Sequence, residues 1–163
     1  MIVTSDEVGV ILESLAITPQ RIAMASRNLE GSRLYFKPDK DSWSANDILA
    51  HLRSCADVWG KSILAMSAQD HPTLRYISPR TWIKKTGYPE LEFHQSLEAF
   101  TEQRNELVRF LKTLDLEDWS RGATFTATTR GREQTILSYA QRIVRHENEH
   151  CEQMEARSAP MQS

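Results

Sequence analysis

Residues 136–154 read ILSYAQRIVRHENEHCEQM. At 100° per residue, Ile136, Tyr139, Ile143, His146, His150 and Met154 fall in one stripe about 80° wide. No Gly or Pro interrupts the stretch. It predicts an amphipathic helix over about residues 133–156, buried along that stripe. A helix with two histidines in the middle of its apolar face needs neighbours on which to bury them. The rest of the chain is read for those neighbours.

Working back from this helix, apolar spacing near 3.6 recurs in three more segments. One spans about residues 5–29, where Thr18-Pro19 is expected to kink or split the helix, since proline disfavours helix in the residue before it. The next starts after Trp43 and runs to about Gln69. Ser44 suits its N-cap and Asp47 stands three residues on, as a capping box requires. The third covers about residues 90–113. Between this third segment and the last helix, a turn at Leu116–Trp119 and a loop through Gly131 are expected, and only Ala123–Thr129 has any strand character. The connection from Asp70 to Tyr88 is long, carries His71, Tyr76, Trp82 and Tyr88, and should pack on the helices as a lid or crossover. Four long amphipathic helices around one core predict an all-α fold, a four-helix bundle forming a single domain over residues 1–163.

Composition narrows the function. The chain has 163 residues, 40% hydrophobic and 26% charged, with a formal net charge of −2. That balance gives no basic footprint for nucleic acid. No run of about 18 apolar residues stands out, so no membrane span is expected. The start of the chain carries Asp6 and Glu7 and no basic residue before Arg21, unlike a secretory or transit leader. Cys55 and Cys151 both fall on expected helices, which argues against a disulfide framework and for a reducing cytoplasm.

His146 and His150 are four apart and stack one turn from each other. Two imidazoles on a core-facing stripe are costly without partners, and a divalent metal supplies one. On the second helix His51 lies at the edge of the face formed by Ile48, Leu52, Cys55, Trp59, Ile63 and Met66. Crossing helices can bring it opposite the pair. A His51–His146–His150 set with one open position is the pattern of a catalytic zinc site. Cys55, four residues after His51, would instead close the site as a fourth ligand if it is not simply a buried packing residue. Cys151 reads as packing.

His146-Glu147-Asn148-Glu149-His150 also fits H-E-x-x-H, in which a glutamate serves as base. The extended protease form is absent, with Gln153 and Ala156 where Gly and His would stand, and no strand offers itself to a peptide. Arg104 sits inside the apolar stripe of the third helix and needs an acid, with Asp47 and Glu147 as candidates. His94 borders the same stripe as a possible pocket residue. No Gly-rich phosphate cradle occurs.

Trp43-Ser44 followed by Ile48-Leu49-Ala50-His51-Leu52 resembles the start of the second helix in the DinB/YfiT-like family. Arg104, the Leu114…Leu116-Glu117-Asp118-Trp119 turn and His146-x-x-x-His150-x-x-Gln153 are similar to that family's later segments, in order along nearly the whole chain. The resemblance implies a four-helix bundle with His51, His146 and His150 on a divalent metal, zinc or nickel. It also implies a homodimer acting on a small-molecule substrate. Activities implied are S-transfer from a low-molecular-weight thiol such as bacillithiol, mycothiol or glutathione, and maleylpyruvate isomerisation; a metal-bound hydroxide on the same three histidines would instead make a small-molecule hydrolase. A non-catalytic metal-binding stress protein is the other implied role. Glu147 stands where the family often has Asp, so it is a candidate for metal support or proton transfer. No heptad seam in the sequence marks a dimer face.

Overall fold

The computed structural model describes residues 2–129 and 131–158. Four long helices dominate it: α1 (Ser5–Arg27), α2 (Ala45–Ala68), α4 (Phe93–Lys112) and α5 (Ile136–Ser158). A single turn, α3 (Pro79–Trp82), lies in the connection between α2 and α4. The all-α bundle expected from periodicity is the architecture found.

Each long helix begins where the chemistry asks it to. Thr4 caps α1 by accepting from the Glu7 amide. Ser44 and Asp47 form the reciprocal capping box at α2, with Ser44 Oγ accepting from Asp47 N at 3.0 Å and Asp47 Oδ2 accepting from Ser44 N at 2.9 Å. Pro19 does not split α1, which runs through it. One backbone bond is lost there, and burial of Thr18, Pro19 and Ile22 against the bundle outweighs it.

The expected strand is real but shorter, and it has company. β2 (Gly122–Thr126) pairs in parallel with β1 (Thr73–Arg75) and antiparallel with β3 (Glu133–Thr135). The last helix therefore starts at Ile136, not at 133, because residues 133–135 are engaged in the sheet. Gly122 is required there, since a Cβ would lie 2.4 Å from the Gln134 carbonyl oxygen. This small sheet ties the two long connections to one end of the bundle.

Packing gives the topology. α1 packs on α5 and α4, and α2 packs on α4 and α5, so α1 faces α2 across a diagonal and α4 faces α5 across the other. Long connections are the consequence, because a diagonal neighbour is out of reach of a short turn. The connection after α2 docks on it: Trp82 Nε1 and the Tyr88 hydroxyl donate to Asp57 at 2.9 and 2.7 Å.

The apolar core is in two halves. One contains Leu15, Cys55, Trp59, Val108 and Ile143, the other Ile22, Leu52, Phe100, Cys151 and Met154. Between them each long helix contributes a buried polar residue at the same level: Thr18, His51, Arg104 and Glu147. This polar layer lies between the two apolar clusters, and the candidate site lies on it.

Among the described residues, α1 is the helix long and apolar enough to cross a membrane by length and composition, with a window of mean hydropathy 1.2. It is not an unbroken apolar run, since Glu13, Gln20 and Arg21 stand within it. The window reaches that value because α1 is apolar on two faces. Ile11, Leu15 and Ile22 are buried, while Val10, Ile17 and Met24 are exposed.

Candidate metal centre

α2 and α5 are adjacent helices, and the site forms where they meet. His51 Nε2 lies 3.0 Å from His146 Nε2, and His150 Nε2 lies 3.2 Å from the same atom. The structure thus brings together the three histidines singled out in the sequence, with their Nε2 atoms converging. Nitrogens bound to one tetrahedral zinc at about 2.0–2.1 Å stand about 3.3 Å apart, so the spacing suits a shared cation.

The electrostatics suit ligation as well. Burial pushes the His51 imidazole down to about 4 and His146 to about 3, with the charge on His150 adding to both. Burial lowers His150 too. All three rings are therefore neutral near pH 7, as ligation requires. Gln153 Oε1 lies 3.0 Å from His150 Nδ1, where it accepts the ring proton and leaves Nε2 with a free lone pair. His146 Nδ1 is buried with no hydrogen-bond partner. Its ring stands edge-on to Trp59, with centroids 5.0 Å apart.

Cys55 is the fourth potential donor. Its Sγ is 3.5 Å from His51 Nε2. The ligand atoms of His51, Cys55 and His146 all lie within 4.8 Å of one another, a group able to hold a metal ion. Burial raises the thiol well above its usual range, so the free side chain is protonated. Cys151 is also a buried, free thiol.

Glu147 follows His146 in sequence but faces elsewhere. Its Oε1 accepts from Arg104 Nη2, and the two side chains are 3% and 1% exposed. The pair spans the α4–α5 diagonal through the middle of the polar layer. Burial pushes the carboxyl up, and the Arg104 charge pulls it back by less. Of the two acids expected for Arg104, Glu147 is the partner. Asp47 belongs to the α2 cap and pairs with Lys37 at 3.2 Å. His94 is exposed on α4, in a groove against α1 that includes Pro19 and Ala23. His71 lies by the sheet, 2.9 Å from Glu133.

Two residues escaped the sequence reading. Trp43 packs over the histidines, nearly parallel to His150 at 5.9 Å and tilted against His51 at 4.8 Å. Arg80, on α3, places its guanidinium carbon 5.4 Å from the Trp43 ring centroid. Trp43 was legible as the residue before a cap and the start of the family-like segment, with nothing to aim it at the histidines. Arg80 sits in a connection without periodicity, so nothing in the sequence aims it at the site.

The model of the DinB superfamily matches residues 14–154. This chain belongs to the DinB superfamily. The solved structure of YfiT from Bacillus subtilis, described as a probable metal-dependent hydrolase with an unusual four-helix bundle topology, superposes with a TM-score of 0.83 at 16% identity. The alignment covers 96% of this chain and 88% of that one. At that identity the match establishes the shared fold. No curated protein matches the chain.

Proposed function

We propose that this DinB superfamily protein is a divalent-metal-dependent enzyme acting on a small molecule, with His51, His146 and His150 as the metal ligands. The observation that carries the reading is the convergence of three neutral Nε2 atoms, 3.0 and 3.2 Å apart, at the wall between α2 and α5. A divalent ion such as zinc or nickel held by these three imidazoles would supply Lewis acidity toward a thiol or a water. The preferred nucleophile is a low-molecular-weight thiol, whose thiolate attacks an electrophilic carbon and displaces its leaving group. With water as the nucleophile instead, the reaction would be a hydrolysis, the class in the description of YfiT as a probable metal-dependent hydrolase.

The chain's own residues have separable roles in this reading. The three imidazoles bind, and Gln153 holds the tautomer of His150. Trp43 shields the rings from solvent on one side. Glu147 acts through Arg104, fixing α5 so that His146 keeps its direction; proton transfer is not assigned to it, because its Oε1 is bound to Arg104 and the whole carboxyl is buried in the core.

A second reading, a closed metal-binding module without turnover, is favoured by the proximity of Cys55 to His51. Elemental analysis of untagged protein, with and without His146→Ala, tests both. A stoichiometric divalent metal lost in the variant supports the site. Metal-free wild type, or metal retained in the variant, rejects it. Cobalt substitution separates the two readings: a sulfur-to-cobalt band without added thiol, abolished by Cys55→Ala, means a closed site.

The homodimer belongs to the same proposal. Val10, Ile17 and Met24 are 64%, 49% and 54% exposed and seven residues apart, one stripe along α1. Asp6 and Glu13 lie toward the start of α1 and Arg27 at its end, so a second copy crossing antiparallel sets opposite charges against each other.

A further inference from the structure

We infer that a cavity on the outer side of α2 is a second binding site, and that it takes an uncharged, largely apolar small molecule carrying one hydrogen-bond donor. The inference is independent of the metal reading above.

The cavity holds about 860 Å³ between α2, α4 and the connection that joins them. That is an ordinary volume for a small-molecule site. At 100° per residue, its lining residues Gly60, Asp57 and Lys61 lie about 180°, 240° and 280° round α2 from His51, so the helix separates them from the histidines. No histidine or cysteine is among its described lining residues. Leu64, Leu74, Ile77, Trp82, Leu107 and Phe110 give it an apolar wall, and Leu64 and Ile77 are exposed there.

Gly60 is the part of that wall which packing does not explain. Its backbone is helical, in the interior of α2, where glycine is among the poorest choices. A Cβ at this position would meet no neighbour within 4 Å, so no close approach calls for glycine. What the missing side chain leaves is room in the cavity.

The charges of the lining residues cancel. Lys61 and Arg75 stand against Asp57 and Glu106, and Arg104 is paired with Glu147. A ligand ion of either sign would lose hydration without a surplus of opposite charge to receive it. The Asp57 carboxylate accepts from Trp82 Nε1, the Tyr88 hydroxyl and Gln103 Nε2. Because a carboxylate only accepts, it fixes the Gln103 amide with nitrogen toward Asp57 and leaves Oε1 for another donor. That Oε1 is buried and has no partner, and an N–H or O–H on the ligand supplies one.

The test follows the fluorescence of N-phenyl-1-naphthylamine, an uncharged probe with one N–H, titrated onto the full chain. Saturable binding is expected, with a raised melting temperature. The sulfonated relative 8-anilino-1-naphthalenesulfonate should bind at least about tenfold more weakly. Gly60→Leu should weaken the uncharged probe at least about tenfold, while the free variant melts no lower than wild type, since leucine is the better helix former. Gln103→Met should weaken it about threefold or more, and should leave its N-methyl derivative, which lacks the donor, within about twofold. His146→Ala should leave the probe's affinity within about twofold. Absence of saturable binding, or binding undiminished in Gly60→Leu, overturns the site. Equal or tighter binding of the sulfonate overturns the uncharged class. Equal losses of the probe and its N-methyl derivative in Gln103→Met overturn the donor contact. A loss in His146→Ala would place the probe at the metal centre and overturn the second site. A wild type that holds no metal but binds the probe as expected rejects the metal reading and supports this one, so the two failures are distinguishable.

Discussion

His146 is the centre of the site, because both other imidazoles lie within about a hydrogen bond of its Nε2. Its chemistry makes a prediction about acidity. Burial holds His51 near 4 and His146 near 3, against about 6.5 in an unfolded chain. Between those values the unfolded chain binds more protons than the folded one. The stability these two side chains permit is therefore complete above about pH 6.5 and is lost as pH falls toward 4 and 3. Urea denaturation of chelator-treated protein at pH 7.5 and pH 5 should give a lower midpoint at pH 5. The double variant His51→Gln/His146→Gln should narrow that gap, and an undiminished gap in the variant would contradict the account. Metal uptake should weaken over the same range, because protons and cation compete for the same nitrogens.

α4 and α5 meet through Arg104 and Glu147, so the diagonal of the bundle is held at this level by a buried ion pair. Breaking a buried pair leaves an uncompensated charge and costs about 3–5 kcal/mol. Arg104→Met alone or Glu147→Leu alone should lower the melting temperature sharply, as read by circular dichroism. The double variant Arg104→Met/Glu147→Leu should regain most of the loss. If the double variant melts as low as the worse single one, the pair is not acting as a unit. Restored stability with impaired metal binding would show that the layer sets the direction of His146 and is not needed for folding. The capping box at Ser44 has a comparable local part: it fixes where α2 begins and so the turn on which His51 appears.

Among the described residues, α1 carries a row of exposed apolar residues besides its buried ones. Replacing Ile17, midway along the exposed stripe of α1, by Glu should convert a dimer to a monomer in light scattering. The melting curve should change little apart from its dependence on concentration. A monomeric wild type, or a variant that remains dimeric, would assign the stripe no such part. The stripe was not seen as a seam in the sequence, because buried Ile11, Leu15 and Ile22 alternate with exposed Val10, Ile17 and Met24, and a chain apolar on two faces has no single period to read.

Local chemistry was enough to write the four long helices and the cap of α2. It also marked the polar intruders on their apolar faces, because helical period and capping depend on neighbours within a turn. His146 and His150 could be paired for the same reason, being four residues apart. Which way the helices cross, that α1 lies diagonal to α2, that Glu147 and not Asp47 answers Arg104, and that Trp43 and Arg80 reach the histidines were settled by packing alone. These depend on contacts between segments dozens of residues apart, and such contacts leave no periodic trace in a single chain. The short strands beside the sheet are of the same kind: three residues become a strand when a neighbour supplies the hydrogen bonds, and that neighbour exists only once the bundle has formed.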